Sequence, residues 1–526
     1  MVVVARGGWL WAFAWIGVVL VLCLAGMASA SERRDGVLPV PAGLRPQVDF
    51  WKKVFAEFSE WDVVIHDRED LSRIYKVAAF GWLRDTIADE AAAVTRRREI
   101  VREEIEAIRG TLLRLHTYRD EPERWNAHER KVAAMFATDT DPHRFLLAAG
   151  ENRIRAQTGL RERFAIAVRT AQRYLPYMER IFREEGLPLE LTRLPFVESS
   201  FDVMAYSKVG AAGLWQFMPA TARQYNMRVD DVVDERRDPF TSTVAAARFL
   251  KGNFAALGSW PVAITAYNHG RGGMMRAVKQ LGTTDIMEII RRYDGRTFGF
   301  ASKNFYASFI AAIEVERDAA RYFGPIPHEP PLVPDRFRLP HFVDFRELAR
   351  LARIHEESLA ELNIALSRQV RRGEVRVPRG YELRLPAGMG EAFRTRYAAL
   401  SQSAKHDGQR SSHATHQVRR GETLSSIAAR HGTSVGRLMA DNGIRNPNHV
   451  RVGQRLKVRA GGGGGVAAAP QRSVTARAQV HKVEPGQTLS TIAKRYGTSV
   501  ADIRRLNGIS NPNHVRAGDR LRIPSR

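Results

Sequence analysis

Leu187-Pro-Leu-Glu-Leu-Thr-Arg-Leu-Pro-Phe-Val-Glu-Ser-Ser-Phe201 is the densest apolar stretch of the 526-residue chain outside its N-terminal run. Gly186 closes the preceding helical pattern. Pro188 stands where a proline opens a helix, because the N–H it lacks is unbonded in a first turn anyway. Leu189, Leu191, Leu194, Phe196 and Val197 then lead to Glu198. A carboxyl at the end of an apolar helix is desolvated, which favours its neutral form and raises its pKa. A general acid acting on a glycosidic oxygen needs such a group. Taken alone, the pattern fits a helix-end glutamate bonded to neighbouring backbone better than a catalytic acid. Asp202, one helical turn on, fits local capping or hydrogen bonding.

Three further islands follow. Ser207-Lys-Val-Gly-Ala-Ala-Gly-Leu-Trp-Gln-Phe-Met-Pro219 supplies small residues for close backbone approach, then the amide of Gln216. Ala266-Tyr-Asn-His-Gly-Arg-Gly-Gly273 sets Tyr267 and Asn268 before a glycine-rich turn. Ala301-Ser-Lys-Asn-Phe-Tyr-Ala-Ser-Phe309 carries an aromatic pair on a late helix. Glu-Ser, Gly-Leu-x-Gln, Ala-Tyr-Asn and a late tyrosine, in that order, resemble the soluble lytic transglycosylase catalytic domain, a lysozyme-like helical fold. The resemblance implies that Glu198 acts alone as acid and then base. It first protonates the bond oxygen between N-acetylmuramic acid and N-acetylglucosamine. It then takes a proton from the muramoyl C6 hydroxyl to close a 1,6-anhydro ring without water. By the same resemblance Ser199, Ser207, Gln216, Tyr267, Asn268 and Tyr306 bind substrate or orient Glu198. Gly213, Leu214 and Ala266 are assigned to packing. The late tyrosine departs from the family pattern: Asn304-Phe305-Tyr306 replaces Asn-Tyr, and Tyr306 is taken as the hydroxyl-bearing position.

The C-terminus repeats itself at an offset of 65 residues, which calls for one supersecondary unit used twice. His416 to Val435 returns as His481 to Val500, and Asn446-Pro-Asn-His-Val as Asn511-Pro-Asn-His-Val. Each unit reads strand, helix, helix, strand. A strand ends at Gly421, Thr423 caps a helix, Leu424, Ile427 and Ala428 face inward, and Gly432 stops the helix. These units resemble LysM domains, small βααβ modules that bind N-acetylglucosamine-containing glycans. By resemblance Gly421, Thr423, Leu424 and Asn446, and their counterparts Gly486, Thr488, Leu489 and Asn511, contact the glycan. Phe337 to Pro386 can be laid on the same pattern as a degenerate copy. It lacks the opening Gly-x-Thr-Leu, so no binding site is assigned to it. His449 and His514 sit in the repeated turns and are assigned to structure; no metal and no cofactor are expected.

The N-terminus bears on compartment. Arg6 precedes an uncharged run from Gly7 to Ser31 that ends in Ala28-Ser29-Ala30. A basic start, an apolar core and a small-x-small site describe a signal peptide cut after Ala30. The run also reaches the length that spans a bilayer, so a retained membrane anchor fits as well. Cys23, the one cysteine, follows Leu22 rather than the small residue that lipidation requires. Export to the periplasm or envelope is expected. The charge of +24 draws polyanions: anionic lipid or the wall itself fits an exported protein, and nucleic acid does not.

The expected architecture is multidomain. A signal peptide or anchor (1–30) and a helical N-terminal region (31–158) precede a mainly α, lysozyme-like catalytic domain (159–325). A degenerate LysM-like module (336–388) and a linker (389–413) follow. Two small α+β LysM modules (414–459 and 479–526) flank a glycine-rich linker (460–478). The expected protein is a monomer that cleaves peptidoglycan glycan strands. A hydrolytic lysozyme-like muramidase and a non-catalytic wall-binding scaffold are the competing functions.

Overall fold

The computed structural model describes residues 38–410, residues 413–459 apart from 432, 445 and 448–449, and parts of 479–523. The N-terminal apolar run lies outside the described residues. Among them no helix is long and apolar enough to cross a membrane. The chain falls into two units that part near residue 411.

The first unit is built on the helix Arg161–Glu184. It buries one stripe, from Phe164 through Ala171, Leu175 and Met178 to Phe182. Gly186 turns the chain with φ of 69°. The next segment differs from the expected single helix. Leu189–Arg193 is a 3-10 turn, and the α-helix proper is only Leu194–Glu198, with Pro195 in its first turn. The cause is Pro195, which has no N–H to bond the carbonyl four residues back. The helices Pro239–Leu257, Trp260–His269 and Phe300–Arg317 complete the catalytic body.

The N-terminal region is not uniformly helical and is not one piece. The helix Arg45–Ala56 sends Val48, Val54 and Phe55 into the catalytic core, beside Phe164 and Phe309. Residues 62–158 form a separate α/β body instead. Its antiparallel sheet runs β2 (Ile74–Ala79), β1 (Asp62–Asp67), β3 (Ile154–Thr158). Val63 pairs with both Ala78 and Thr158. β1 is central and covered on both faces, so it lacks the alternation that marks a half-buried strand. The long helix Glu90–Thr117 is present as expected, with Ile108, Leu112 and Leu115 buried and Asp89 capping its start.

Residues 335–410 form a third body. β4 (Asp335–Arg338) pairs antiparallel with β5 (Glu382–Leu385) around the helices Phe345–Ala352 and Glu356–Leu362. This is the βααβ order of the degenerate copy. The stretch read as a linker is ordered instead. The helix Gly390–Ala398 buries Phe393 and Tyr397, and Phe342 bridges to His406. Phe393, Tyr397 and Leu400 form an i, i+4, i+7 stripe inside an otherwise polar segment.

In the second unit the first repeat pairs β6 (His413–Gln417) with β7 (Arg455–Arg459), around the helices Leu424–Arg430 and Val435–Asp441. Thr423 caps the first helix through the Ser426 N–H, and Leu424, Ile427 and Ala428 are buried, as expected. The strand stops at Gln417, four residues before Gly421, whose φ is 85°. Gly432 and His449 lie outside the described residues, as does His514. The second repeat pairs β8 (Gln479–Lys482) with β9 (Arg520–Ile523) and has the helix Leu489–Arg495.

One asparagine recurs in all three βααβ bodies. Asn442 donates to the carbonyls of Leu438 and Lys457 and accepts from the Lys457 N–H, at 2.7–2.9 Å. Asn507 does the same with Ile503 and Arg522, at 2.6–2.8 Å. Asn363 makes the identical three bonds with Leu359 and Arg384. The clamp ties the end of the second helix to the closing strand. Residues 335–385 share this clamp with the two repeats.

Candidate active site

Glu198 ends its short helix, and the chain then turns sharply. Ser200 and Phe201 both take left-handed backbone, with φ of 53° and 54°. Two adjacent non-glycine residues there cost of order 1 kcal/mol each and need the surroundings to hold them. Phe201 supplies the hold, because it is fully buried against Phe196 at 4.6 Å. The turn ends the helix at Glu198 and leaves that residue half-buried. Among the described residues no donor or cation is paired with this carboxyl. Burial alone pushes its pKa up to about 8, with no contribution from a second carboxylate. It is therefore protonated at neutral pH.

The islands converge on one turn. Gly213, Leu214 and Trp215 offer three successive carbonyls, and each receives a side chain. Gln216 Nε2 donates to Gly213 (2.9 Å), Ser199 Oγ to Leu214 (2.8 Å) and Tyr267 Oη to Trp215 (2.7 Å). Three residues expected to touch substrate thus shape the wall beside Glu198. Tyr267 also lies close enough to Glu198 for the carboxylate to add to the burial that raises its pKa. Gln216 itself has left-handed backbone, with φ of 47°. Ser207 closes the preceding loop: its Oγ accepts from the Ala211 N–H (2.8 Å). Asn268 is exposed and accepts from Ser302 Oγ (2.9 Å). Asp202 accepts from the Met204 N–H, the local role expected of it.

Tyr306 departs from expectation. It is fully buried, and its hydroxyl donates to the Pro39 carbonyl (2.8 Å). That hydroxyl is used to bind the N-terminal segment to the core, so Tyr306 is an interior residue. Phe305 is buried in the same core.

Two supports carried no sequence signal. Arg236 is 3% exposed and donates to the carbonyls of Gly210 (2.6 Å) and Phe217 (3.1 Å) while paired with Asp234. It props the loop from behind, but nothing separates it in sequence from dozens of other arginines. Gly213 leaves room for that prop. A Cβ there would stand 1.9 Å from the Arg236 carbonyl oxygen, and its φ is 77°. Packing is therefore its role, as expected. Trp215 is fully buried, stacks on Phe182 at 5.7 Å and bonds Thr243 through its indole nitrogen.

In the repeats, Gly421 and Thr423 are exposed, as is Asn446. Leu424 and Leu489 are 1% and 2% exposed. Both begin a helix and point into the βααβ core, so they hold the module and do not face a glycan. Gly486, Thr488 and Asn511 lie outside the described residues.

The Transglycosylase SLT domain model matches residues 179–290, and the LysM domain model matches 416–459 and 481–524. By domain content the chain carries a lytic-transglycosylase-type SLT domain followed in sequence by two LysM domains. It is similar to Membrane-bound lytic murein transglycosylase D of Escherichia coli strain K12, 29% identical over 67% of this chain and 76% of that protein. It is also 37% identical over 110 residues to the Endolysin of Bacillus phage PZA, covering 20% of this chain and 37% of that protein. Among solved structures, the 70 kDa soluble lytic transglycosylase of Escherichia coli matches at 19% identity and a TM-score of 0.24, over 28% of this chain and 24% of its own.

Proposed function

We propose that the protein cleaves the β-1,4 bond from N-acetylmuramic acid to N-acetylglucosamine in peptidoglycan and leaves 1,6-anhydromuramoyl ends, with Glu198 as its only acid and base. The observation that carries this is the unpaired, buried carboxyl of Glu198, protonated near neutral pH with no second carboxylate acting on it. Two-carboxylate glycosidases set their acid within about 10 Å of a base or nucleophile. That no second carboxylate shifts Glu198 supports a single carboxyl serving twice. Glu198 gives its proton to the leaving oxygen as the C1–O bond breaks, and the substrate's own acetamido group stabilises the cationic centre. The resulting carboxylate takes the proton of the muramoyl C6 hydroxyl as O6 bonds to C1. The proton returns to Glu198 and no water is consumed. Ser199, Gln216 and Tyr267 hold the turn that faces this chemistry, and Asn268 is free on its outer side to meet an acetamido group.

The LysM repeats hold the enzyme on insoluble wall, through the exposed residues around Gly421, Thr423 and Asn446. The site of action is the cell envelope, reached through the N-terminal segment as a signal peptide or an anchor. Product analysis of digested wall tests the reaction: anhydro ends support it, and reducing ends mean a hydrolytic muramidase.

A further inference from the structure

We propose that Arg237 of the catalytic domain and Arg371 of the third βααβ body form a carboxylate-receiving site beside the catalytic loop, for the peptide carried on the muramoyl residue of the strand. The inference rests on the glycan-cleaving function proposed above and names what else of the substrate is read. Main-chain bonds join the two segments that carry these arginines, and Arg237 lies near enough to act electrostatically on Arg371. Asp234 N–H donates to the Ala365 carbonyl (2.8 Å), Ser367 N–H to the Val232 carbonyl (3.0 Å), and Val233 bridges to Leu366. The turn Arg368–Arg371 therefore stands beside residues 232–237. Arg237 also abuts the catalytic wall: a Cβ on Gly213 would lie 3.1 Å from its Cα. Its guanidinium meets Met204 Sδ at 2.9 Å, on the loop that leaves Glu198.

Among the described residues neither guanidinium has a carboxylate bonded to it, although Asp234 and Asp202 act on Arg237 from a greater distance. Arg371 Nε is closed off from solvent without a partner. Each is pushed below its ordinary pKa, first by burial; Arg237 and then Arg368 add to the shift of Arg371. The nearby acids are already committed. Asp234 pairs with Arg236 and Asp202 with the Met204 N–H. Arg371 also lines a cavity of about 290 Å³ with Asp344, Glu347 and Arg372. There Glu347 pairs with Arg350, and Asp344 pairs with Arg410 through Oδ2 while its buried Oδ1 has no hydrogen-bond partner. Desolvated guanidiniums without a counter-ion are costly, and their planar fork matches a carboxylate. The lactyl group of the muramoyl residue leads outward from the cleaved bond into a peptide bearing carboxylates, so substrate itself can supply the missing anion.

The test compares kcat/KM on peptide-bearing strands with kcat/KM on strands stripped of peptide, for wild type, R371Q, R237Q and R371K. The expected result is a fall of about tenfold in that ratio for R371Q and R237Q, the loss of one charge-assisted bond, with partial rescue in R371K. Melting temperature should hold or rise in R371Q, because an unpaired cation is removed; a purely structural arginine would lower it. An unchanged ratio overturns the proposal. So does loss of binding to anionic phospholipid vesicles in R371Q with the ratio intact, which assigns the pair to a lipid surface. If wild type cleaves neither strand, the glycan-cleaving function itself fails, a result distinct from an unchanged ratio.

Discussion

At the scale of single residues, the carboxyl of Glu198 links chemistry to stability. Its pKa is raised to about 8 in the folded chain against about 4.5 when solvated. Between those pH values the unfolded chain has lost a proton that the folded chain keeps, so stability falls as pH rises through the window, by up to about 1.4 kcal/mol per unit. Glu198→Gln removes that penalty. It should raise the melting temperature at pH 8 and change it little at pH 4, and scanning calorimetry at both values checks this. The same substitution should cost at least 10²-fold in turnover, the ordinary worth of a general acid. The alkaline limb of kcat/KM in wild type should fall near pH 8. Gly213→Ala tests the wall behind the site. Its methyl meets a carbonyl at 1.9 Å with φ of 77°, so a loss on the order of 2–4 kcal/mol is expected in denaturant unfolding. Tyr267→Phe removes the bond to the Trp215 carbonyl and should cost roughly 1 kcal/mol.

At the scale of elements, what the sequence reveals depends on how many faces an element buries. The helix Arg161–Glu184 and the first helix of each repeat bury one face, so their stripes are legible. β1 is covered on both faces and hides its period, so the sheet is not legible in the sequence. The catalytic islands were legible as a set because each is a turn that needs particular residues. Their roles were only half legible. Ser199, Gln216 and Tyr267 bond backbone carbonyls, and no sequence spacing distinguishes that from touching substrate. The role of Tyr306 is not legible locally, because the partner of its hydroxyl, Pro39, is 267 residues away. The repeats diverge at one position with a measurable consequence. Glu422 is held down at about 2 by the Arg419 N–H, His416 and Arg430. The equivalent position is Gln487, bonded to His481 (2.7 Å). A depressed carboxyl stabilises above its unfolded pKa and loses that contribution as pH falls from about 4.5 to 2. Hydrogen exchange in the full-length protein should show the helix Leu424–Arg430 losing protection in that interval while Leu489–Arg495 changes less.

At the scale of the molecule, the third βααβ body is fused to the catalytic domain, unlike a tethered binding module. Arg384, 2% exposed, bonds Asp238 at 2.7 and 2.8 Å, and Asp238 in turn caps the helix Pro239–Leu257 through the N–H groups of Phe240 and Thr241. Removing one partner of a buried pair typically costs about 3–5 kcal/mol, because the other charge is stranded. Arg384→Met should therefore destabilise the catalytic domain by roughly that amount in chemical denaturation. The LysM unit behaves otherwise. A chain ending at residue 411 should keep cleaving soluble glycan fragments while pelleting poorly with insoluble wall. Equal loss of both would contradict separable roles.

The central claim is that one carboxyl, Glu198, does the work of two and that water stays out of the reaction. Mass spectrometry of wall digested by wild type and by Glu198→Gln tests it most directly. Fragments ending in 1,6-anhydromuramoyl residues from wild type, and none from the variant, are the predicted result. Reducing muramoyl ends from wild type, or anhydro products persisting in the variant, would contradict it.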